Sequence, residues 1–230
     1  MSTVARESKH AQRREEIVLA TWRLIARGGF AAATMREIAA EAGFANGGLK
    51  HYFANKDELL VAAFRLTFFR INERAAIAIA ESSGLEAIRQ LCLQMLPLDA
   101  EREVECRVSV AFWDRAATNP ALRKVHADAH AIWRRWMEQH LDRARATTEL
   151  VDDVTDEEII DEILSLVTGM QVIPLLATRA APTIDQRRLL DGLFERLRSP
   201  HVTDDELRRL AADGGALSPL PVAVVPTTTP

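Results

Sequence analysis

Two short helical patterns joined at a glycine, within Thr34–Phe53, constrain this chain more than any other stretch. Thr34 suits an N-cap, and Glu37 three residues later completes a capping box. In that motif each side chain satisfies a backbone N–H that a helix start leaves orphaned. Ile38, Ala39 and Ala42 then place one apolar face at helical spacing. Gly43 can take the left-handed conformation that ends a helix without a Cβ clash. Beyond it, Leu49 and Phe53 lie four apart and can pack inward, which leaves Asn46, Gly48, Lys50 and His51 outside. Two helices on a tight glycine turn, the second polar and basic outside, form the pattern of a helix-turn-helix that reads DNA. An ordinary helical hairpin shares the spacing but has no need of that outer face.

Charge supports the same reading. Residues 1–56 carry nine basic and five acidic side chains, a balance of +4. The net charge of the 230 residues is −4, so the remainder carries −8. A basic head engages phosphates and an acidic body is repelled by them. Hydrophobic content of 48% suffices for a sizeable core. The start, Met1–His10, has no apolar signal-peptide core, and no run reads as long and apolar enough to cross a membrane. A cytoplasmic location and no membrane partner are expected. Cys92 and Cys106 are the only cysteines, so no disulfide framework is implied.

Periodicity predicts an all-α chain. Residues 1–12 read as a flexible arm, 13–56 as a DNA-binding head, 57–198 as a regulatory body and 199–230 as a short helix with a disordered tail. The first helix is expected over Arg13–Arg27, stopped by Gly28-Gly29, with Phe30 plugging the head's core. Asn55 caps a helix reaching about Ala80. Further helices are expected over Gly84–Leu96, after Asp99, over Ala121–Arg145 and from a Thr155 cap to Ala177, with a kink at Pro174. The last are expected over Thr183–Leu197 and, weakly, Asp204–Ala212.

The string His51-Tyr52-Phe53-Ala54-Asn55-Lys56-Asp57-Glu58-Leu59-Leu60, with Gly28-Gly29-Phe30, Thr34, Ile38-Ala39, Gly43 and Leu49, resembles the TetR family of transcriptional repressors. It looks most like the subgroup typified by the choline-responsive betaine regulator. A weaker likeness runs through Ala111-Phe112-Trp113 and Leu166–Leu176. The resemblance implies a homodimeric repressor that a small molecule releases from double-stranded operator DNA. It makes Thr34, Tyr52 and Lys56 phosphate contacts, and Arg36 a contact to phosphate or base. The side chains of Asn46 and Lys50 suit adenine and guanine respectively, with His51 beside them. The chain departs from the family at Lys50, which is usually aromatic, and at the adjacent Gly47 and Gly48. Each of those glycines costs about 1 kcal/mol in a helix relative to Ala, yet lets backbone approach DNA closely.

The resemblance also implies a ligand pocket in the body. Candidate walls are Phe64, Phe68, Cys92, Met95, Cys106, Val110, Trp113, Trp133, Trp136, Met137 and Met170. Such walls suit an apolar, aromatic or cationic effector, although an aromatic stripe at helical spacing usually fills a core. The last two major helices resemble the family's dimerisation pair, with Ile163, Leu166, Met170 and Ile173 on one and Leu189, Leu193 and Leu197 on the other. His126 and His130 have a spacing that two metal ligands can share, but no matching Cys or acidic cluster stands beside them. A solvated or core pair is the better reading, and His140 lies further along the same helix. No metal, cofactor or catalytic constellation is expected, and no phosphate-binding or nucleophile motif occurs. A helical-bundle enzyme or ligand carrier is one alternative, and it would need a convergent catalytic set. A ligand-independent architectural DNA binder is another, and it would need a body without a cavity.

Overall fold

The computed structural model describes residues 3–44, 48–177 and 185–199. Among them are eight α-helices: α1 Thr3–Ala32, α2 Met35–Glu41, α3 Lys56–Ile79, α4 Gly84–Met95, α5 Ala100–Thr118, α6 Pro120–Ala146, α7 Asp156–Leu176 and α8 Gln186–Leu197. The described residues contain no strand, only one bridge between Leu150 and Arg198. The weak helix expected at Asp204–Ala212, the tail after it, and Thr183 lie outside the described residues. The chain divides into two compact units. One comprises residues 1–68 and 104–126, the other residues 69–103 and 127–230.

In the first unit α1 differs from expectation. It is helical from Thr3 rather than from Arg13. The sequence Thr3–Glu16 is rich in Ala, Arg, Glu, Lys and Gln, which propagate a helix with little loss of rotamer freedom. Gly29 does break the helix, at φ 68° and ψ −176°. Ile17, Ala20 and Ile25 are buried with Ala33, Ile38, Ala39, Leu49 and Phe53, so the inward stripes meet in one small core. Phe30 does not plug it. Its ring is half-buried and lies 3.9 Å beneath the Lys56 ammonium.

The caps are read correctly from sequence. Thr34 and Glu37 form the capping box of α2, and Thr155 and Glu158 form that of α7. Asn55 Oδ1 accepts from the Glu58 N–H at 2.9 Å, and Asp99 Oδ1 from the Arg102 N–H at 2.9 Å. The α8 cap is Asp185, whose side chain accepts from the Arg188 N–H.

In the second unit, side chains distant in sequence satisfy backbone groups that helix ends leave open. Pro97 stops α4, whose last carbonyls are taken by Arg102 (Leu93 O, 3.0 Å), Arg74 (Gln94 O, 3.2 Å) and Gln171 (Met95 O, 2.7 Å). At the other end Ser83 supplies no side-chain cap. The buried Glu149 carboxylate accepts from the Leu85 N–H at 3.2 Å instead. Gly84 has φ +58°, and a Cβ there would sit 2.2 Å from Glu149 Oε2, so only glycine fits. Pro174 falls in the last turn of α7, where it lacks the N–H that would reach Met170 O. Gln186 Nε2 donates to that carbonyl at 2.7 Å.

Against expectation, α7 is itself long and apolar enough to cross a membrane, by length and composition. One side of it packs inward and the other carries charge. Ile159, Ile160, Ile163, Leu164, Val167 and Met170 are buried, while Asp161 and Glu162 on the outer side pair with Arg134 and Arg196.

Candidate nucleic-acid interface

The local chain path of the head is set by its polar side chains. Thr34 Oγ1 donates to Glu37 Oε2 at 2.6 Å and accepts from the Glu37 N–H at 3.3 Å. The Thr34 hydroxyl bond, with a second from the Thr34 N–H to Glu37 Oε2 at 3.2 Å, holds the Glu37 carboxyl below its usual value. Glu41, at the end of α2, receives Arg23 at 3.0 Å and Arg27 at 2.6 Å. The Arg27 bond is the main cause of its lowered pKa, followed by the Arg23 bond. Two of the nine basic groups counted in the head therefore hold α1 against α2.

Gly43 turns the chain at φ 71°, as its sequence position predicts. The segment after the turn is not an α-helix in the described residues. Gly48–His51 forms a single 3₁₀ turn, closed by Tyr52 N–H to Leu49 O at 2.8 Å. Asn46 and Gly47 lie outside the described residues. Leu49 and Phe53 are buried as expected. Arg36, Lys50 and His51 are exposed and make no hydrogen bond or ion pair with another described residue.

Two expected phosphate contacts are engaged inside the head. Lys56 Nζ donates to Phe30 O and sits over the Phe30 ring. Burial pushes its pKa below the usual lysine value. Thr34 is occupied by its capping box. Tyr52 is half-buried between two rings: His10 stacks on it at 4.8 Å, and Phe44 meets it edge-on at 5.5 Å. Arg14 donates to Tyr52 O and lies 4.1 Å over the Phe53 ring. The reading from sequence missed His10, because it assigned residues 1–12 to a loose arm, and it gave Arg14 no role within the first helix. Their i,i+4 spacing was the available signal.

The head joins α5 within its own unit. Asp57, in the first turn of α3, accepts from Arg115 Nε at 2.9 Å, Arg115 Nη2 at 3.1 Å and Asn119 Nδ2 at 3.2 Å. The Arg115 bonds are the first cause of its depressed pKa.

The expected pocket residues divide between the two units. Phe64, Phe68 and Cys106 are buried in the first unit, and Val110 and Trp113 are half-buried there. Phe64 stacks on Phe112 at 4.0 Å. The Trp113 ring meets His126 edge-on at 6.3 Å, and its indole N–H is buried without a partner. Cys92, Met95, Trp133, Trp136, Met137 and Met170 are buried in the second. Trp133 Nε1 donates to Asn72 Oδ1 at 2.8 Å, and Trp136 packs on His140 at 4.0 Å. His130 lies 5.8 Å from the Trp133 ring. No group of three or more metal-ligating side chains occurs among the described residues.

His140 is 2% exposed, its Nδ1 has no partner, and burial pushes its pKa down to about 4. Arg143 lowers it further. Above an ordinary value near 6.5 the folded and unfolded forms are both neutral. Between that value and about 4 only the unfolded chain takes the proton, so stability falls as pH falls through this window. The loss is up to about 3 kcal/mol. Urea unfolding at pH 7 and pH 4.5 measures it, and His140→Leu should remove most of the difference. An equal loss in the variant would assign the effect to other groups.

Residues 17–63 match the family described as bacterial regulatory proteins, tetR family. Residues 84–199, half of the chain, match the C-terminal domain described as a BetI-type transcriptional repressor. The chain belongs to the TetR family of transcriptional regulators. This TetR-family regulator is 31% identical over 169 residues to the HTH-type transcriptional regulator PksA of Bacillus subtilis, spanning 73% of this chain and 80% of that one. It is 25% identical over 199 residues to the HTH-type transcriptional regulator BetI of Burkholderia mallei, spanning 83% and 95%. A putative transcriptional regulator from Saccharomonospora viridis, solved in complex with choline, has the same fold. Its TM-score is 0.73 at 22% identity, over 82% of this chain and 99% of that one. A Rhodococcus regulator superposes with a TM-score of 0.69 at 24% identity, over 80% and 95%. The role is therefore DNA-binding control of transcription, by a helix-turn-helix head on a helical body of BetI type.

Proposed function

We propose that the regulator is a homodimeric repressor that leaves its operator when a small molecule binds the body. The match of residues 84–199 to a BetI-type repressor domain carries this reading. Arg36, Lys50 and His51 are its base-edge and phosphate groups, with Tyr52 at the phosphates. Lys56 holds the α3 start against Phe30 and so places them. Two heads must reach successive major-groove segments, which a two-fold dimer achieves.

The expected dimer stripe is split by its burial. Ile163, Met170, Leu193 and Leu197 are at most 4% exposed within one subunit and fill its own core. Leu166 is half-buried. Ile173, Leu176 and Leu189 are 50%, 75% and 46% exposed, and these form the dimer contact.

The effector is apolar, aromatic or cationic. Trp133 and Trp136, both in the second unit, supply faces that hold a cation, and a regulator of like fold was solved in complex with choline. A ligand releases DNA only if it prefers the DNA-incompetent state. The joint through Asp57 and Arg115 ties any shift of α5 to the α3 start within the first unit. The test is an operator selected from a random duplex library, with choline and bulkier quaternary ammonium compounds titrated into the complex. Two subunits per duplex and release by at least one compound are expected. Compounds that bind the protein and leave the complex intact would overturn induction, and one subunit per duplex would overturn the dimer.

A further inference from the structure

The matched DNA-binding region begins at residue 17, but α1 is helical from Thr3. Residues 8–13 are exposed all round, so this extension has no core to bury. A helix polar on every side persists through local pairs or through a partner. Local pairs are present: Arg13 with Glu16 at 2.6 Å, and Gln12 with Glu16 at 3.5 Å. The arrangement also has a direction. At 3.6 residues per turn, Lys9, His10, Arg13 and Arg14 fall on one side, with Glu16 at its edge paired to Arg13, and Glu15 on the opposite side. That basic side lies against the recognition segment. His10 stacks on Tyr52, Arg14 donates to Tyr52 O, and Arg13 lies 5.4 Å over the Phe44 ring. The basic face is thus continuous with Lys50, His51 and Tyr52.

We propose that the N-terminal turns of α1 are a phosphate-contacting arm, in which Lys9 and Arg13 engage the duplex backbone beside the segment read by Gly48–Tyr52, and the His10–Tyr52 stack sets the arm's angle. The proposal rests on the DNA-binding reading of the head and adds a contact outside the matched region. The occupant is duplex DNA, because the surface is polar, basic and continuous with the recognition turn. An apolar partner would find nothing to bury there.

Phosphate contacts carry no sequence information and release counterions, whereas base contacts set the choice between sequences. Full-length protein and a Lys9→Ala/Arg13→Ala variant are compared on mixed-sequence duplex DNA and on a duplex selected by the wild type, across a salt series. Both side chains are exposed, and circular dichroism checks that the arm stays helical without the Arg13–Glu16 pair. The variant should bind both duplexes more weakly by the same factor. Its salt slope should be shallower by about 1.8 for each head engaged, at about 0.9 per phosphate lost. His10→Ala should weaken binding with little change in slope, since it orients the arm and adds no cation. An unchanged slope and affinity in the double variant, with a wild type that binds, would overturn the arm alone. A change in preference between the two duplexes would place Lys9 or Arg13 at base edges and overturn the phosphate assignment. A wild type that ignores both duplexes at low salt would overturn the DNA-binding reading itself.

Discussion

Leu193→Asp should unfold the subunit rather than separate a dimer. Leu193 is 1% exposed in a single chain, on α8, which packs with α4. A carboxylate placed there loses its hydration and gains no partner, which is costly in a dry core. The expected loss exceeds about 4 kcal/mol, the range of severe core lesions. The sequence stripe alone predicts monomers or aggregates from this change, because it treats Leu193 as an interface residue. Leu176→Asp is the contrasting variant, since Leu176 is 75% exposed. It should keep its helicity and sediment as a monomer where the wild type sediments as a dimer. A folded monomer from Leu193→Asp, or an intact dimer from Leu176→Asp combined with Ile173→Asp, would contradict this division.

DNA affinity should collapse as salt rises. The head carries +4 beside a body of −8. A dimer touching 6–10 phosphates loses about 10³–10⁵ in affinity between 50 and 200 mM salt, as counterions are released. The structure narrows the groups responsible. Arg23 and Arg27 are held by Glu41, and Lys56 by Phe30 O. Among the described side chains Lys9, Arg36 and Lys50 are exposed cations with no acidic partner, while Arg13 is exposed beside Glu16 and Arg14 is partly exposed beside Glu58. Lys50→Ala should flatten the salt slope without loss of stability. Lys56→Ala should lower thermal stability as well, because it removes the contact that fixes the start of α3. Anisotropy across a salt series, paired with thermal unfolding, separates the two. An affinity indifferent to salt would refute the electrostatic account.

The head's fold was legible because its signals are local. A capping box needs Thr34 and Glu37 three apart, and a left-handed turn needs Gly43, so both can be read without a neighbour. The same holds for Asn55, Asp99 and Thr155 as caps. The extent of α1 was missed for the opposite reason. A polar segment reads as loose unless something outside it gives it a face, and here Tyr52 and Phe44 do. The recognition segment was half legible. Its inward residues Leu49 and Phe53 are readable from spacing, but spacing over so few residues does not separate the 3₁₀ turn at Gly48–His51 from an α-helical one.

Sequence by itself determined the all-α class, the helix-turn-helix, the sign of the head's charge and the turn at Gly43. These rest on interactions between residues a few positions apart, or on composition. Tertiary structure alone decided which side of a stripe faces inward. Ile163 and Ile173 lie on one apolar run of α7, yet one is buried in its own subunit and the other half exposed. It also decided that Glu149 caps α4, that Gln171 closes its far end and that Gln186 meets the carbonyl bared by Pro174. Those contacts join residues 16 to 76 positions apart. The physical reason is that an apolar or polar side chain encodes a need for a partner, while the partner's identity is set by which helices the packing brings alongside.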